Sequence, residues 1–551
     1  MSHKKYYYFL CIAIFTLLCG CSSAEQTPPA TEPNTEFSSD IVTLSMFSDV
    51  SFWQFPEWSL DVGTLTADIT SKTGVSLEVS IPAHQADQKL SLLLLEDHLP
   101  DIISVTDPVV IQQLISSGKV WNMRDFLETY CPDSHLLNTF PEDMKQYLSK
   151  RDGDWYALLS NTNSTDARKT WKPSSDFYEE DAVYAANNAI IWNRSLLEKA
   201  GLSIEDVQTE SQVLAAFKKV KSMNLQVNGE DVIPLLIDGN DYQNFTLDFL
   251  CGSFGAEYVD ESGNYIDRWL QPQSKKVLSF LNQIMRNGYS LPEYLGIENL
   301  QVRSLMASGR ILCFIGNSGN TSISPSEWVS SGPILSNTGE HPIFLNDIHN
   351  TSGWINTFVS TSCKNPSQTA RFIDFMTSEE GLLLTNFGKE GKDFYYNDEQ
   401  LIEYTSQGLQ KLKNKSSTGL SMFWNFYNSA WYKSIVPEPK TDSEEAFWHE
   451  LLCAYGRHPK TVTVDAALLY IPNTLLTSDP ELSAIESALT KLKETQIPKI
   501  ISAESDADFE EEYAYFINTM RSLGVDQINK VKNQAVQENC NYYGEKLKRI
   551  N

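Results

Sequence analysis

The sequence predicts an α/β protein with a largely parallel sheet, and three observations predict it. Short apolar strands alternate with helical stretches over residues 41–118, glycines stop those helices, and the same rhythm restarts near Asp181. In order, Ile41–Val50 (IVTLSMFSDV) alternates apolar and polar residues and reads as the first strand. A helix follows over about 60–73, stopped by Gly74. VSLEVSIP (75–82) is a second strand and ADQKLSLLLLED (86–97) a helix. LPDIISVTD (99–107) is a third strand, followed by the helix VVIQQLISSG, whose stop is Gly118.

The second unit opens with AIIW (189–192) as a short apolar strand, Trp192 inside it reading as core. Asn193 is placed to cap the helix that Gly201 ends. NPSQTARFIDFMTSEEGLLLTNFG (365–388) predicts two helices. Asn365 caps the first, Pro366 takes its first position, and Phe372, Ile373 and Met376 share a face. Thr377 and Glu380 form a capping box for the second, which Gly388 closes. From Pro480 the chain reads as mostly helical, and no internal repeat is evident.

Ahead of this body, Lys4 and Lys5 precede an apolar run from Tyr6 to Gly20, too short to span a bilayer, which needs about 20 residues. Its end, Leu18-Cys19-Gly20-Cys21, resembles the bacterial lipobox, with Cys21 as the lipid acceptor because small Gly20 precedes it while bulky Leu17 and Leu18 precede Cys19. The expectation is a lipoprotein signal peptide over 1–20 and acyl chains such as palmitate on Cys21. Each buried methylene contributes about 0.8 kcal/mol, so two or three chains hold firmly. Residues 21–40 are rich in Ser, Thr, Pro and Glu and read as a disordered spacer.

The formal charge is −28, or −30 without Lys4 and Lys5, which argues against nucleic acid as a partner. Beyond Cys21, the cysteines Cys131, Cys251, Cys313, Cys363, Cys453 and Cys540 stand singly, and the eight histidines are equally scattered. The expectation is buried free thiols, no cofactor and no metal. No phosphate loop occurs, and GNSG (316–319) is not a nucleophile elbow. With 71 acidic residues, neighbouring carboxylates are expected by chance and do not signal a hydrolase.

Several separated motifs then agree. HLPDIISV with LISSGKVWNMRDFL, DWYALL (154–159), IIWNRSLLEKAGL (190–202), LMASGRILCFIGNSG (305–319) and SQTARFIDFMTSEEGLLLTNFGKEGKDFYY (367–396) occur in one order along the mature chain. Together they resemble the extracellular solute-binding proteins of family 1, the sugar-type substrate-binding lipoproteins of bacterial ABC importers. The resemblance implies a two-lobe periplasmic-binding-protein-like fold (type II) with a helical C-terminal region. It places lobe one at 41–160 and 350–395, and lobe two at 161–349 and 396–551. It implies a monomeric, non-enzymatic receptor on the extracellular face of the cell membrane that hands a saccharide to the permease subunits of an ABC transporter. An oligopeptide-binding lipoprotein and a surface-anchored glycan-active enzyme are the alternatives. Some relatives carry an acidic calcium loop before an Ile-Pro-Leu. Here MNLQVNGEDVIPLL (223–236) has only Glu230 and Asp231 as nearby acids, so no calcium is expected there.

A neutral sugar presents flat C–H faces and a rim of hydroxyls, which aromatic rings and planar polar groups suit. Trp53 follows the first strand, Trp155 and Tyr156 lie where the chain should first cross between lobes, and Trp354 follows a glycine at the second crossing. Asn317 sits past a strand end in a Gly-rich loop. Trp424 and Trp431 lie in the aromatic-dense MFWNFYNSAWY, and of these Trp424 joins the ligand set while Trp431 reads as core. Glu390 in GKEG reads as structural.

Overall fold

The first strand forms because its alternate residues Leu44 and Met46 are fully removed from water, while Thr43 faces outward. The computed structural model describes residues 41–95, 98–239, 243–347 and 353–551, and Ile41–Asn551 form one compact unit. The signal peptide, the spacer and Cys21 lie outside the described residues. In chain order the strands are β1 Val42–Ser48, β2 Val75–Ser80, β3 Ile102–Val105, β4 Leu158–Leu159, β5 Asn188–Asn193, β6 Gln226–Val227, β7 Glu230–Asp231 and β8 Ile233–Ile237. They continue with β9 Ile311–Asn317, β10 Trp328–Ser330, β11 Ile343–Asn346, β12 Asn356–Val359, β13 Phe394–Tyr396, β14 Ile402–Tyr404 and β15 Val462–Asp465.

The first sheet has the order β2-β1-β3-β12-β4. β1 runs parallel to β2 and β3, whereas the late strand β12 enters antiparallel between β3 and β4. Its first crossover helix is Leu65–Thr73, shorter than the expected 60–73. The Thr64 hydroxyl caps it by accepting from Ala67 N–H, and the Thr66 hydroxyl donates to the Ser59 carbonyl, holding the preceding residues in a turn. Gly74 ends it at φ 68°.

The second sheet, β10-β5-β9-β8, is mixed rather than largely parallel. β8 and β9 are parallel, but β5 is antiparallel to both its neighbours. Trp192 is fully buried beside Phe217, and its indole N–H donates to Ser331, so it is core as expected. Asn193 caps the next helix through Leu196 N–H.

Two expected caps differ. Asn365 makes no side-chain cap bond to the helix Pro366–Thr377. The second helix, Glu379–Phe387, is capped by Ser378 through Gly381 N–H, because the Thr377 hydroxyl turns back to donate to the Ile373 carbonyl. Glu380 instead pairs with Lys72 at 2.6 Å.

Three long helices, Pro480–Ile501, Asp506–Leu523 and Val525–Tyr543, close the chain. Their residues Ile497, Ile500, Phe516 and Ile528 share one core with Trp192 and Phe217 of the second sheet's region. The segment before them returns to the first sheet. Met422, Phe423 and Phe426 pack in the first sheet's core with Met46, Trp53 and Phe372, and Asn425 donates to Ser104 of β3 at 3.2 Å. Burial of three large apolar side chains outweighs chain proximity. Trp431 is buried with Phe387, Phe394 and Ile402, as a core residue.

The stretch 223–236 is a β6–β7 hairpin turned by Asn228 (φ 54°) and Gly229 (φ 83°), the sequence such two-residue turns favour. Glu230 lies 3.5 Å from Arg310, and Asp231 accepts from Gln226 at 3.0 Å, so the two acids are turned to separate partners. Among the described residues, the six cysteines are free thiols, and no helix is long and apolar enough to cross a membrane.

Candidate functional site

The first sheet gathers several chain segments at one edge. β1 and β3 end there, β4 ends there, and β12 begins there, because Asn356 pairs with both Val105 and Leu159. Strand ends of this kind leave loops free to carry ligand groups on a rigid base. Asp49, just past β1, ties two of these loops together. Its carboxylate accepts from Thr106 N–H at 2.8 Å and Asp107 N–H at 3.1 Å. Burial nevertheless pushes the Asp49 carboxyl above the usual carboxylate range.

At the start of β12 the backbone is held still tighter. Gly353 N–H donates to the Ser160 carbonyl at 2.6 Å, and a Cβ at Gly353 would lie 2.1 Å from that oxygen, so only glycine fits. Arg151 forks onto Asp152 at 2.7 and 2.6 Å and donates to the Asn356 side chain at 2.8 Å. These contacts fix the backbone on either side of Trp354.

Trp354 belongs to an aromatic array that runs from core to solvent. Trp53, 3% exposed, donates its indole N–H to the Met422 carbonyl at 2.9 Å. Its ring stacks on half-buried Trp424 with centroids 5.5 Å apart and planes within 6°. Outside them lie Phe52 and Trp354, 55% and 43% exposed, stacked on each other at 5.9 Å and 9°. Both stand 6.4 Å from Trp424, tilted by about half a right angle. Phe52, Trp354 and Trp424 line a pocket of about 300 Å³ with Asn161, Ser421 and Tyr427. The three rings, the Asn161 amide and the Ser421 hydroxyl are groups suited to a flat, hydroxyl-rimmed molecule, whereas burial beside Tyr432 and Glu445 pushes the Tyr427 phenol well above its usual range and turns its hydroxyl from the pocket.

No protein-family model matches the chain, and neither does any curated protein. Solved structures do. The ABC-transporter substrate-binding protein FusA of S. pneumoniae, in complex with kestose, superposes with a TM-score of 0.64 at 14% identity, over 91% of this chain and 100% of that one. An HMO-binding, ABC-transporter-associated solute-binding protein of Bifidobacterium longum infantis gives 0.63 at 13% identity, over 92% and 99%. The alginate-binding protein AlgQ2 without calcium ion gives 0.58 at 13% identity, over 92% and 100%. The fold is that of the two-lobe solute-binding proteins.

Within this solute-binding fold the six expected ligand residues separate. Trp354 and Trp424 line the pocket, and Trp53 stands behind them in the core. Trp155 is 1% exposed, stacked on Phe140 at 4.8 Å with its N–H on the Ala157 carbonyl, so it is part of the first core rather than of an open face. Tyr156 is half-buried against the cluster of Phe47, Ile103 and Phe358. Asn317 ends β9 in the other sheet of the solute-binding fold, where its backbone N–H donates to the buried Asp238 carboxylate at 2.6 Å. Phe52, Asn161 and Tyr427 are pocket residues that the sequence reading did not single out. Phe52 sits beside Trp53 in the sequence, and that adjacency is the signal available.

Proposed function

We propose that this chain is a lipid-anchored, extracellular substrate-binding protein of an ABC importer, and that it captures an oligosaccharide and delivers it to the permease. The observation that carries this is the exposed ring array of Phe52, Trp354 and Trp424, lining a pocket at the strand ends of a solute-binding fold. Solved structures with this fold include FusA in complex with kestose and, as an EF-hand mutant, with fructo-nystose. In this reading the aromatic faces cover the apolar faces of sugar rings, and Asn161 and Ser421 meet hydroxyls. The two sheets lie in two lobes divided near 160 and 350, and residues 420–426 belong with the first lobe. Asn317, in the second lobe, adds contacts on closure. A ligand favours the closed state only to the extent that it contacts both lobes at once. The protein acts as a monomer without catalysis of its own.

The experiment is a thermal-shift screen of the body from Ile41 against oligosaccharides, peptides and metal ions. A ligand that binds only the folded state at one hundred times its Kd adds about 2.7 kcal/mol and raises the midpoint. A shift with oligosaccharides is expected, whereas a shift with peptides alone, or hydrolysis of a glycan, rejects the proposal. For the anchor, Cys21→Ser expressed in a Gram-positive host should move the protein from the membrane fraction to the medium. Retention of the variant on membranes would rule out lipid on Cys21.

A further inference from the structure

Outside the set of residues that line the aromatic pocket, three potential metal ligands converge between two helices packed together beside the second sheet. His449 and Cys453 stand one turn apart on the helix Glu444–Cys453 and so share a face. Asp181 comes from the helix Asp176–Tyr184. His449 Nδ1 lies 3.6 Å from Cys453 Sγ and 3.8 Å from Asp181 Oδ1, and all three ligand atoms fall within 4.8 Å of one another. With bond lengths of about 2.3 Å to sulfur and about 2.1 Å to nitrogen and oxygen, a tetrahedral ion needs ligand separations of about 3.6 Å (S to N) and about 3.4 Å (N to O). Two sides of the observed triangle, 3.6 and 3.8 Å, are close to those lengths, and the third, from Asp181 to Cys453, lies within 4.8 Å and has to shorten toward about 3.6 Å on binding.

We propose that Asp181, His449 and Cys453 form a binding site for a divalent transition metal, Zn²⁺ by ligand type and geometry, with a fourth position left for water. The surroundings have the form such sites take. With Nδ1 turned to the metal, His449 Nε2–H faces Glu180 Oε2 at 3.5 Å, the carboxylate–histidine pairing that sets the tautomer of a ligating imidazole. Arg457 donates to the same Glu180 oxygen at 3.1 Å and holds it in place. Lys433 pairs with Asp181 through Oδ2 and leaves Oδ1 for the ion. Phe177 stacks on the imidazole at 4.0 Å and fixes its plane. His449 is 5% exposed and Cys453 fully buried, while the Asp181 side chain is a quarter exposed, so the ion would be enclosed on two sides and reach solvent on the third. Beside the ligands, Lys433 and Arg457 carry positive charge and Glu180 and Glu445 negative charge, so the dication adds to a mixed set of charges to which ionisation of Cys453 contributes one more negative. Binding releases the Cys453 thiol proton to the buffer, which makes affinity rise with pH. An ion here clips the segment near residue 181 to the one near 449, which lie far apart in the chain. The His-x-x-x-Cys spacing is visible in the sequence, but Asp181 is brought to it only by the fold.

The test uses the chelator-treated body from Ile41 and Co²⁺ as a spectroscopic probe, with Zn²⁺ competing. Binding of one Co²⁺ per chain, with tetrahedral d–d bands and a sulfur-to-cobalt charge-transfer band that Zn²⁺ displaces, is expected. Cys453→Ser should remove the charge-transfer band. Glu180→Gln, which touches no ligand atom to the metal, should weaken Zn²⁺ by 10–100-fold with the far-ultraviolet circular dichroism unchanged. A folded wild-type protein that takes up no Co²⁺ or Zn²⁺ overturns the site, as does a charge-transfer band that survives Cys453→Ser. The readout is metal binding itself, so it stands or falls apart from the saccharide proposal.

Discussion

Trp354→Ala is expected to weaken binding of the oligosaccharide that gives the largest thermal shift by about thirty-fold, leaving the fold intact. The ring is 43% exposed and touches Phe52 and Trp424 rather than a closed core, so its removal opens no cavity. The effect on stability should stay within about 0.5 kcal/mol, as for other exposed substitutions. Binding differs because truncating a central aromatic anchor typically costs about 2 kcal/mol or more, and every 1.4 kcal/mol is tenfold in Kd. Trp354→Phe keeps a flat face and should recover part of the affinity. Titration calorimetry on the purified variants checks this, and an unchanged Kd for Trp354→Ala removes the residue from the site.

Trp53→Ala, at the inner end of the same array, is expected to act the other way round. Its ring is 3% exposed, packed on Trp424 and edge-on to Phe55, and its N–H is committed to the Met422 carbonyl. Removing a buried Trp costs about 3–5 kcal/mol. It also leaves the Met422 carbonyl without this donor and frees the 420–426 segment that the indole holds to the first sheet. The urea midpoint should fall accordingly, and any loss of affinity should follow from the loosened platform beneath Trp424. Trp53→Phe, which retains a ring but not the donor, should lose about 1–2 kcal/mol. A Trp53→Ala protein with the wild-type midpoint would show that the indole is not a structural support.

The two tryptophans mark where local sequence stops determining position. Strand alternation settles burial from Thr43 to Met46, but Met46, Phe47 and Ser48 are all buried, and after Ser48 the chain enters a loop in which neither period applies. Phe52 and Trp53 are adjacent and equally apolar, and only packing against Met422 and Trp424 decides which ring turns inward. Helix ends were legible where a side chain meets its own backbone, as at Asn193 and at Gly74, because those bonds span only a few residues. They were not legible at Thr377 and Ser378, two adjacent hydroxyls that each can serve as the cap. The ordered motifs between residues 98 and 396 conveyed the two-lobe architecture. They conveyed neither the antiparallel place of β5 nor the return of residues 420–426, since strand direction and long-range burial are decided by contacts hundreds of residues apart. Asn161 and Tyr427 enter the pocket by the same long-range route.

The return of Met422, Phe423 and Phe426 to the first sheet has a consequence for the order of events during synthesis. A nascent chain that has emerged only as far as Glu390 already holds every strand of that sheet, yet lacks three side chains of its core and the Trp424 face of its pocket. Non-local contacts of this kind slow folding and keep apolar surface exposed until the closing segment arrives. The chain up to Glu390 therefore lacks a complete first core, and the pocket lined by Phe52, Trp354 and Trp424 is complete only after the chain has grown past Tyr427.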